Sequence, residues 1–328
     1  MKRRFVIISV FCLSAYLLIL GCSNPADPDV PENPEHPANP AKQKEPAKQK
    51  DPGGKEDPEG EEEPGYVENP DGSVTVTGVK ALMTWLADQS DNTETEPYAI
   101  KLKGVNLASG DKNNLRGLYA ALSRYVVLDL SACTGEKISN ISDPGKAKIR
   151  EIILPLNLIT VGKSAFLGCT ELTTIDMPGV TIIEHLAFSG CVKLETLHME
   201  KVEAITNTTT GNGAFHQCDS LVSVFLPKAT EIGKRTFNSC DSLSSVQLPA
   251  VTAIGDSAFA SCKSLESLTL GATPPELGKT VFPSKAGAFL VPDVIYVPES
   301  ALDAYKNIPD KGWDADLEGK VQAQPLAG

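Results

Sequence analysis

The chain lacks the marks of most chemistries. It contains no Gly-x-Ser-x-Gly elbow, no His-Glu-x-x-His helix and no Cys-x-x-Cys pair, the spacings that present a serine nucleophile, a zinc hydrolase site and a thiol redox or metal pair. Histidine is scarce and scattered: His36 lies in a proline-rich stretch, and His185, His198 and His216 fall at three different positions of a repeating unit. Different positions face different ways, so these imidazoles are not expected to converge on one metal. Basic charge is also short. Of the formal net charge of −12, residues 1–22 contribute +3 and residues 23–70 contribute −8, which leaves −7 for the remainder. A mildly acidic body without a basic stripe argues against a nucleic-acid partner. The expectation is a protein without enzymatic activity, metal or cofactor.

Long apolar runs are absent apart from Phe5–Leu20, which follows Lys2-Arg3-Arg4. A basic segment followed by an apolar one reads as an export signal, and the run is short for a membrane span. Its end, Ile19-Leu20-Gly21-Cys22, resembles the lipobox of bacterial lipoproteins. That resemblance implies a signal peptide over 1–21 and a lipidated Cys22. It implies an exported chain anchored at the outer membrane or cell surface, touching the membrane through the lipid only. Residues 22–70 lack apolar period. Pro25, Pro28, Pro31, Pro34, Pro37 and Pro40 recur every third residue, the period of polyproline II, and the stretch reads as a disordered, solvated stalk. Fully extended at ~3.1 Å per residue, residues 23–64 of it would reach on the order of 130 Å.

From residue 71 the pattern changes. Val74 and Val76 alternate with polar residues, Val79, Leu82, Met83 and Leu86 fall on one helix face, and Tyr98, Ile100 and Leu102 alternate again. Leu115, Leu118, Tyr119 and Leu122 repeat the helical spacing before Val126, Leu128 and Leu130. Strand–helix alternation of this kind predicts parallel strands, here an amino-terminal α/β cap over 71–130.

Residues 131–273 are dominated by one repeated phrase. It reads Leu172-Thr-Thr-Ile175-Asp-Met177-Pro178 … Ala187-Phe188-Ser-Gly-Cys191, and again Leu243-Ser-Ser-Val246-Gln-Leu248-Pro249 … Ala258-Phe259-Ala-Ser-Cys262. Phe166, Phe188, Phe215, Phe237 and Phe259 keep step with Cys169, Cys191, Cys218, Cys240 and Cys262. A period in the twenties headed by Leu-x-x-Ile-x-Leu predicts an α/β leucine-rich-repeat solenoid with a parallel sheet on one face, Ala-Phe beginning a turn of helix or 3₁₀ on the other. The excess Thr206–Gly213 predicts a surface bulge. The phosphate-loop look of Gly278-Lys279-Thr280 is instead a degenerate repeat, with Phe282 in the phenylalanine column. Residues 274–328 carry Val294–Val297 and a helix-like Glu299–Lys306, and read as a carboxy-terminal cap. The cysteine column admits bridging between adjacent turns; close packing of small apolar thiols suits a parallel array better.

The phrase Leu-x-x-Ile-x-Leu-Pro … Ile-Gly-x-x-Ala-Phe-x-x-Cys resembles the repeat of BspA-like leucine-rich-repeat surface proteins, and Val294–Tyr305 with Gly312-Trp313 is similar to the ending of such arrays. Departures are Glu184 for glycine, Thr236 for alanine and the missing proline after Met199. The resemblance implies a bacterial surface lipoprotein that binds proteins, host extracellular matrix or other bacteria among them; it brings no catalytic residues. The alternative is a structural or immune-decoy coat protein without a dedicated ligand. The candidate binding face is the open strand face: Ile153, Asp176, His198, Phe225, Gln247 and Thr269 in one column, with Glu151, Thr174, Thr196, Ser223, Ser245 and Ser267 beside it.

Overall fold

Each Leu-x-x-Ile-x-Leu phrase folds as one short strand because its three apolar residues have only one side on which to hide. Leu172, Ile175 and Met177 are buried, as are Leu243, Val246 and Leu248, while the residues between them face out. In the computed structural model, residues 65–108, 124–138, 148–206, 211–282, 284–285, 288–289, 292–306, 308, 311–313 and 315–325 are described. The signal, Cys22, the stalk as far as residue 64, His36, the helical spacing at Leu115–Leu122 and residues 207–210 of the bulge lie outside them.

The strands stack in parallel as a solenoid. Val74–Thr77, Tyr98–Asn106, Val126–Thr134, Ile149–Ile153 and Thr174–Asp176 form one sheet, edged by the antiparallel Tyr66–Glu68. Thr196–His198, Ser223–Phe225, Ser245–Leu248, Ser267–Leu270, Val294–Val297 and Val321–Ala323 form the next. The first helix runs Gly78–Ala87 and buries Val79, Leu82, Trp85 and Leu86. Met83, expected on the inner face, is exposed, and the Trp85 ring takes the inner position edge-on to Tyr98 at 5.4 Å.

A second parallel sheet, which the sequence did not announce, runs along another side. Its seven strands are Lys137–Ile138, Thr160–Val161, Ile182–Ile183, Ala204–Ile205, Glu231–Ile232, Ala253–Ile254 and Glu276–Leu277. Each is two residues long, too short to show alternation. The remaining side was expected to carry helical turns, and carries tight turns instead. Except at Gly213, the described residues two before and two after the phenylalanines of residues 166–259 sit in the left-handed region, among them Ser164 (φ 54°), Leu186 (φ 59°), Ser239 (φ 63°) and Ser261 (φ 64°). Left-handed residues interrupt any helix, at ~1 kcal/mol or more each. Hydrogen bonds to the next turn offset that strain: the phenylalanine amides of 166, 188, 215, 237 and 259 donate to the carbonyls of Ala187, Ala214, Thr236, Ala258 and Val281 at 2.7–2.9 Å.

Inside, Phe166, Phe188, Phe215, Phe237, Phe259 and Phe282 form one stack, with centroids 5.1–6.0 Å apart and planes tilted 3–17°. Phe282 thus occupies the column, as a degenerate repeat requires. The departures from the phrase are each accommodated locally. Glu184 folds its carboxylate back to accept the Lys163 amide at 2.9 Å and the Lys137 ammonium at 2.6 Å. The Thr236 hydroxyl, fully buried, donates to the Gly233 carbonyl at 2.8 Å.

The six cysteines among the described residues are free and buried. Their thiols have a use beyond packing: Cys191, Cys218, Cys240 and Cys262 donate to the carbonyls of Phe166, Phe188, Phe215 and Phe237, one turn back, at 3.0–3.2 Å. Cys133 does the same to Leu102 at 3.3 Å. Each thiol satisfies a carbonyl that no solvent reaches, and a bridge to its neighbour would forfeit that bond. Burial pushes the Cys169 thiol up to about 12 and the Cys133 thiol up to about 11. These six thiols should therefore resist alkylation in the folded protein and react fully once it is denatured without reductant. Thiol counting under the two conditions checks this; persistent blocking after denaturation would mean disulfides.

The last turn is closed by the 3₁₀ helix Glu299–Tyr305. The Tyr305 hydroxyl donates to the Gly271 carbonyl at 2.9 Å, and Trp313 Nε1 to the Pro275 carbonyl at 2.9 Å, with the two rings edge to face. Among the described residues no helix is long and apolar enough to cross a membrane.

Candidate functional site

The outward columns follow directly from the pairing. Backbone register aligns Asp129 with Ile153 and Ile153 with Asp176 in the first sheet. In the second it aligns His198, Phe225, Gln247 and Thr269. The adjoining column aligns Glu151 with Thr174, and Thr196 with Ser223, Ser245 and Ser267. The candidate residues are thus placed on one face, but in two blocks, because the hydrogen-bonded ladder is interrupted between Thr174–Asp176 and Thr196–His198. The sheet of seven two-residue strands carries the stack across that interruption, since Ile182–Ile183 pairs with Ala204–Ile205.

The face extends farther than its repeats. Tyr296 pairs with Thr269 and Gln322 with Tyr296, so the carboxy-terminal strands lengthen the same column. The alternation Val294-Ile-Tyr-Val297 carried that signal, and its inward residues Ile295 and Val297 are fully buried. At the other end Lys101 aligns with Asp129 and pairs with it at 3.6 Å. Neighbouring strands of the face are spaced by ~4.8 Å. Gln247, Asp176, Glu151 and Thr174 are exposed; Phe225, Ser223, Ser245 and Thr269 are half-buried.

Groups whose acidity is displaced are mostly core or cap residues: the thiols above, and Tyr305, whose hydroxyl burial pushes up. His185 is buried against Gly211, with burial and then Lys163 lowering its pKa. Its Nδ1 has no partner. It stands on a different side of the solenoid from the front columns, and His216 Nδ1 lies 3.0 Å from the Asn238 carbonyl. Among the described residues no group of His, Cys, Asp and Glu could hold a metal.

Comparison with known proteins agrees with the repeat. The model of the BspA type leucine-rich-repeat region matches in six copies, over residues 137–266 and 208–287. No curated protein matches the chain. Among solved structures, a Treponema pallidum (T. pallidum) leucine-rich-repeat protein aligns at 23% identity over 70% of this chain and 87% of its own, with a TM-score of 0.41. A leucine-rich cell surface protein of Faecalibacterium prausnitzii aligns at 17% identity over 72% and 83%, with a TM-score of 0.35. A Bacteroides ovatus leucine-rich-repeat protein aligns at 20% identity over 62% and 64%, also at 0.35.

Proposed function

Residues 137–266 and 208–287 belong to the BspA-type leucine-rich-repeat family, and from that premise we propose that the chain is a surface protein whose front strand face binds other proteins. The observation that carries the reading is the register of that face. Its outward side chains are held in straight columns by strands that are buried on their other side, so a partner meets a preformed surface and ordering costs little. Hydroxyls, an amide and the half-buried rings of Phe225 and Tyr296 supply the adaptable polar contacts and aromatic anchors that protein interfaces use. We further propose that Cys22 is lipidated and that the stalk holds the solenoid off the membrane, on the strength of Ile19-Leu20-Gly21-Cys22 and the proline period after it. Host matrix proteins and other bacteria are the proposed partners, as the repeat's resemblance implies.

The test applies the whole chain to a panel of immobilised matrix proteins. Saturable binding is expected, and Phe225→Asp with Ile153→Asp should abolish it while the protein still unfolds cooperatively, since both side chains lie on the outward side of their strands. No saturable binding to any member of the panel would favour the coat-protein alternative.

A further inference from the structure

The two blocks of the front face differ in chemistry. From Ser223 onward the outward columns carry serines, threonine, Gln247, Phe225 and Tyr296, and no ionic side chain. Around Ile153 they carry carboxylates: Asp129 and Asp176 stand on either side of it in the column, and Glu151 stands in the column beside it. The nearby cations are already engaged. Lys101 pairs with Asp129, Lys137 with Glu184 at 2.6 Å, and Arg150 with Glu94. Among the described residues Glu151 and Asp176 enter no ion pair. A second feature is independent of the charges. Ile153 and Leu156 are 37% and 70% exposed, two large apolar side chains three residues apart where the strand turns. Single exposed apolar residues are ordinary on a protein surface, but a group of them marks a contact.

Covering this turn with a neutral apolar surface would strip water from two carboxylates and give nothing back, at a cost that cancels the apolar gain. A partner that brings cations beside an apolar side chain satisfies both features at once, and the net charge of −7 beyond residue 70 steers it inward. Resting on the reading of the front face as a protein-binding surface, we propose that the partner's anchor is a polypeptide segment with an apolar residue flanked by Lys or Arg, docked on Ile153 and Leu156 between Glu151 and Asp176.

The experiment is fluorescence anisotropy of the whole chain with a labelled synthetic peptide that alternates lysine and leucine. Peptides alternating glutamate with leucine, and lysine with serine, serve as references. Only the lysine–leucine peptide is expected to bind saturably. The double variant Glu151→Gln, Asp176→Asn should weaken it about tenfold, two exposed pairs' worth, and added salt should weaken it further. Ile153→Ser should weaken it as well, and Gln247→Ser should not. Failure of the lysine–leucine peptide to bind, equal binding of the glutamate–leucine peptide, or indifference to both sets of variants would overturn the proposal. A matrix protein bound in the panel test and lost with Phe225→Asp alone would overturn it too, while leaving the protein-binding reading of the face intact.

Discussion

Phe237→Ala is expected to destabilise the protein by ~3–5 kcal/mol. The ring is fully buried between Phe215, 5.3 Å away and tilted by 7°, and Phe259, 5.6 Å away and tilted by 6°. Truncation therefore opens a void that faces two turns at once, and removes two stacked contacts worth ~0.5–1.5 kcal/mol each beyond simple burial. The backbone cannot collapse into the void, because the Phe237 amide is held to the Ala258 carbonyl at 2.9 Å and the Phe237 carbonyl to the Cys262 thiol. In a chain of this size the loss corresponds to roughly 10 °C in Tm, measurable by circular dichroism. Phe282→Ala should cost clearly less, for that ring has a described stacking neighbour on one side only, 6.0 Å off. Equal losses at 237 and 282 would show that the stack is not what stabilises the array.

Gly213→Ala is expected to cost roughly 3 kcal/mol, for a different reason. A Cβ at this position would lie 2.1 Å from the Arg235 carbonyl oxygen, 2.3 Å from its carbon and 2.4 Å from the Thr236 Cα. All three are backbone atoms, so the next turn must move away and give up its bonds. Gly213 holds the place that Ser164, Leu186, Arg235 and Ser257 hold in other turns, but those residues have positive φ and Gly213 does not. The chain returns here from the Thr206–Gly213 insertion along another path, with its Cα pressed against the following turn. Gly168→Ala makes the comparison: its φ is 72° but nothing lies within 4 Å, so only the left-handed penalty of ~1 kcal/mol applies. Urea unfolding of the two variants separates the effects, and a Gly213→Ala no worse than Gly168→Ala would refute the clash.

The period made the front strands legible, since Leu172, Ile175 and Met177 each had to face inward for the phrase to recur. It made the phenylalanine stack legible too, down to Phe282. The second sheet escaped notice because two residues per turn, such as Ile182–Ile183, show no periodicity of their own. A helical reading of the turns fails because Ser, Leu, Arg and Thr give no hint of positive φ, and bonds to the next turn accompany it at Ser164, Arg235 and Ser257. The use of the thiols was hidden for a similar reason, as a cysteine's partner one turn back leaves no trace in spacing. At the candidate face, strand alternation indicated which residues point outward. It could not show that the ladder breaks between Asp176 and His198, nor that Tyr296 continues the column.

The bonds that hold the turns beside the phenylalanines all run one way. Amides of 164, 166 and 168 point to the following turn and meet the carbonyls of 185, 187 and 189, and the phenylalanine row continues unbroken to Val281. Within this row the peptide dipoles share one sense, as they do along a helix. On the side of the two-residue strands the amides point the other way, from Glu184 back to Val161 and from Gly255 back to Ile232, so each turn is tied to its neighbours by two rows of opposite sense. A turn gained by duplication would meet donors on one side and acceptors on the other at both of its faces, so the array can lengthen without any new kind of contact.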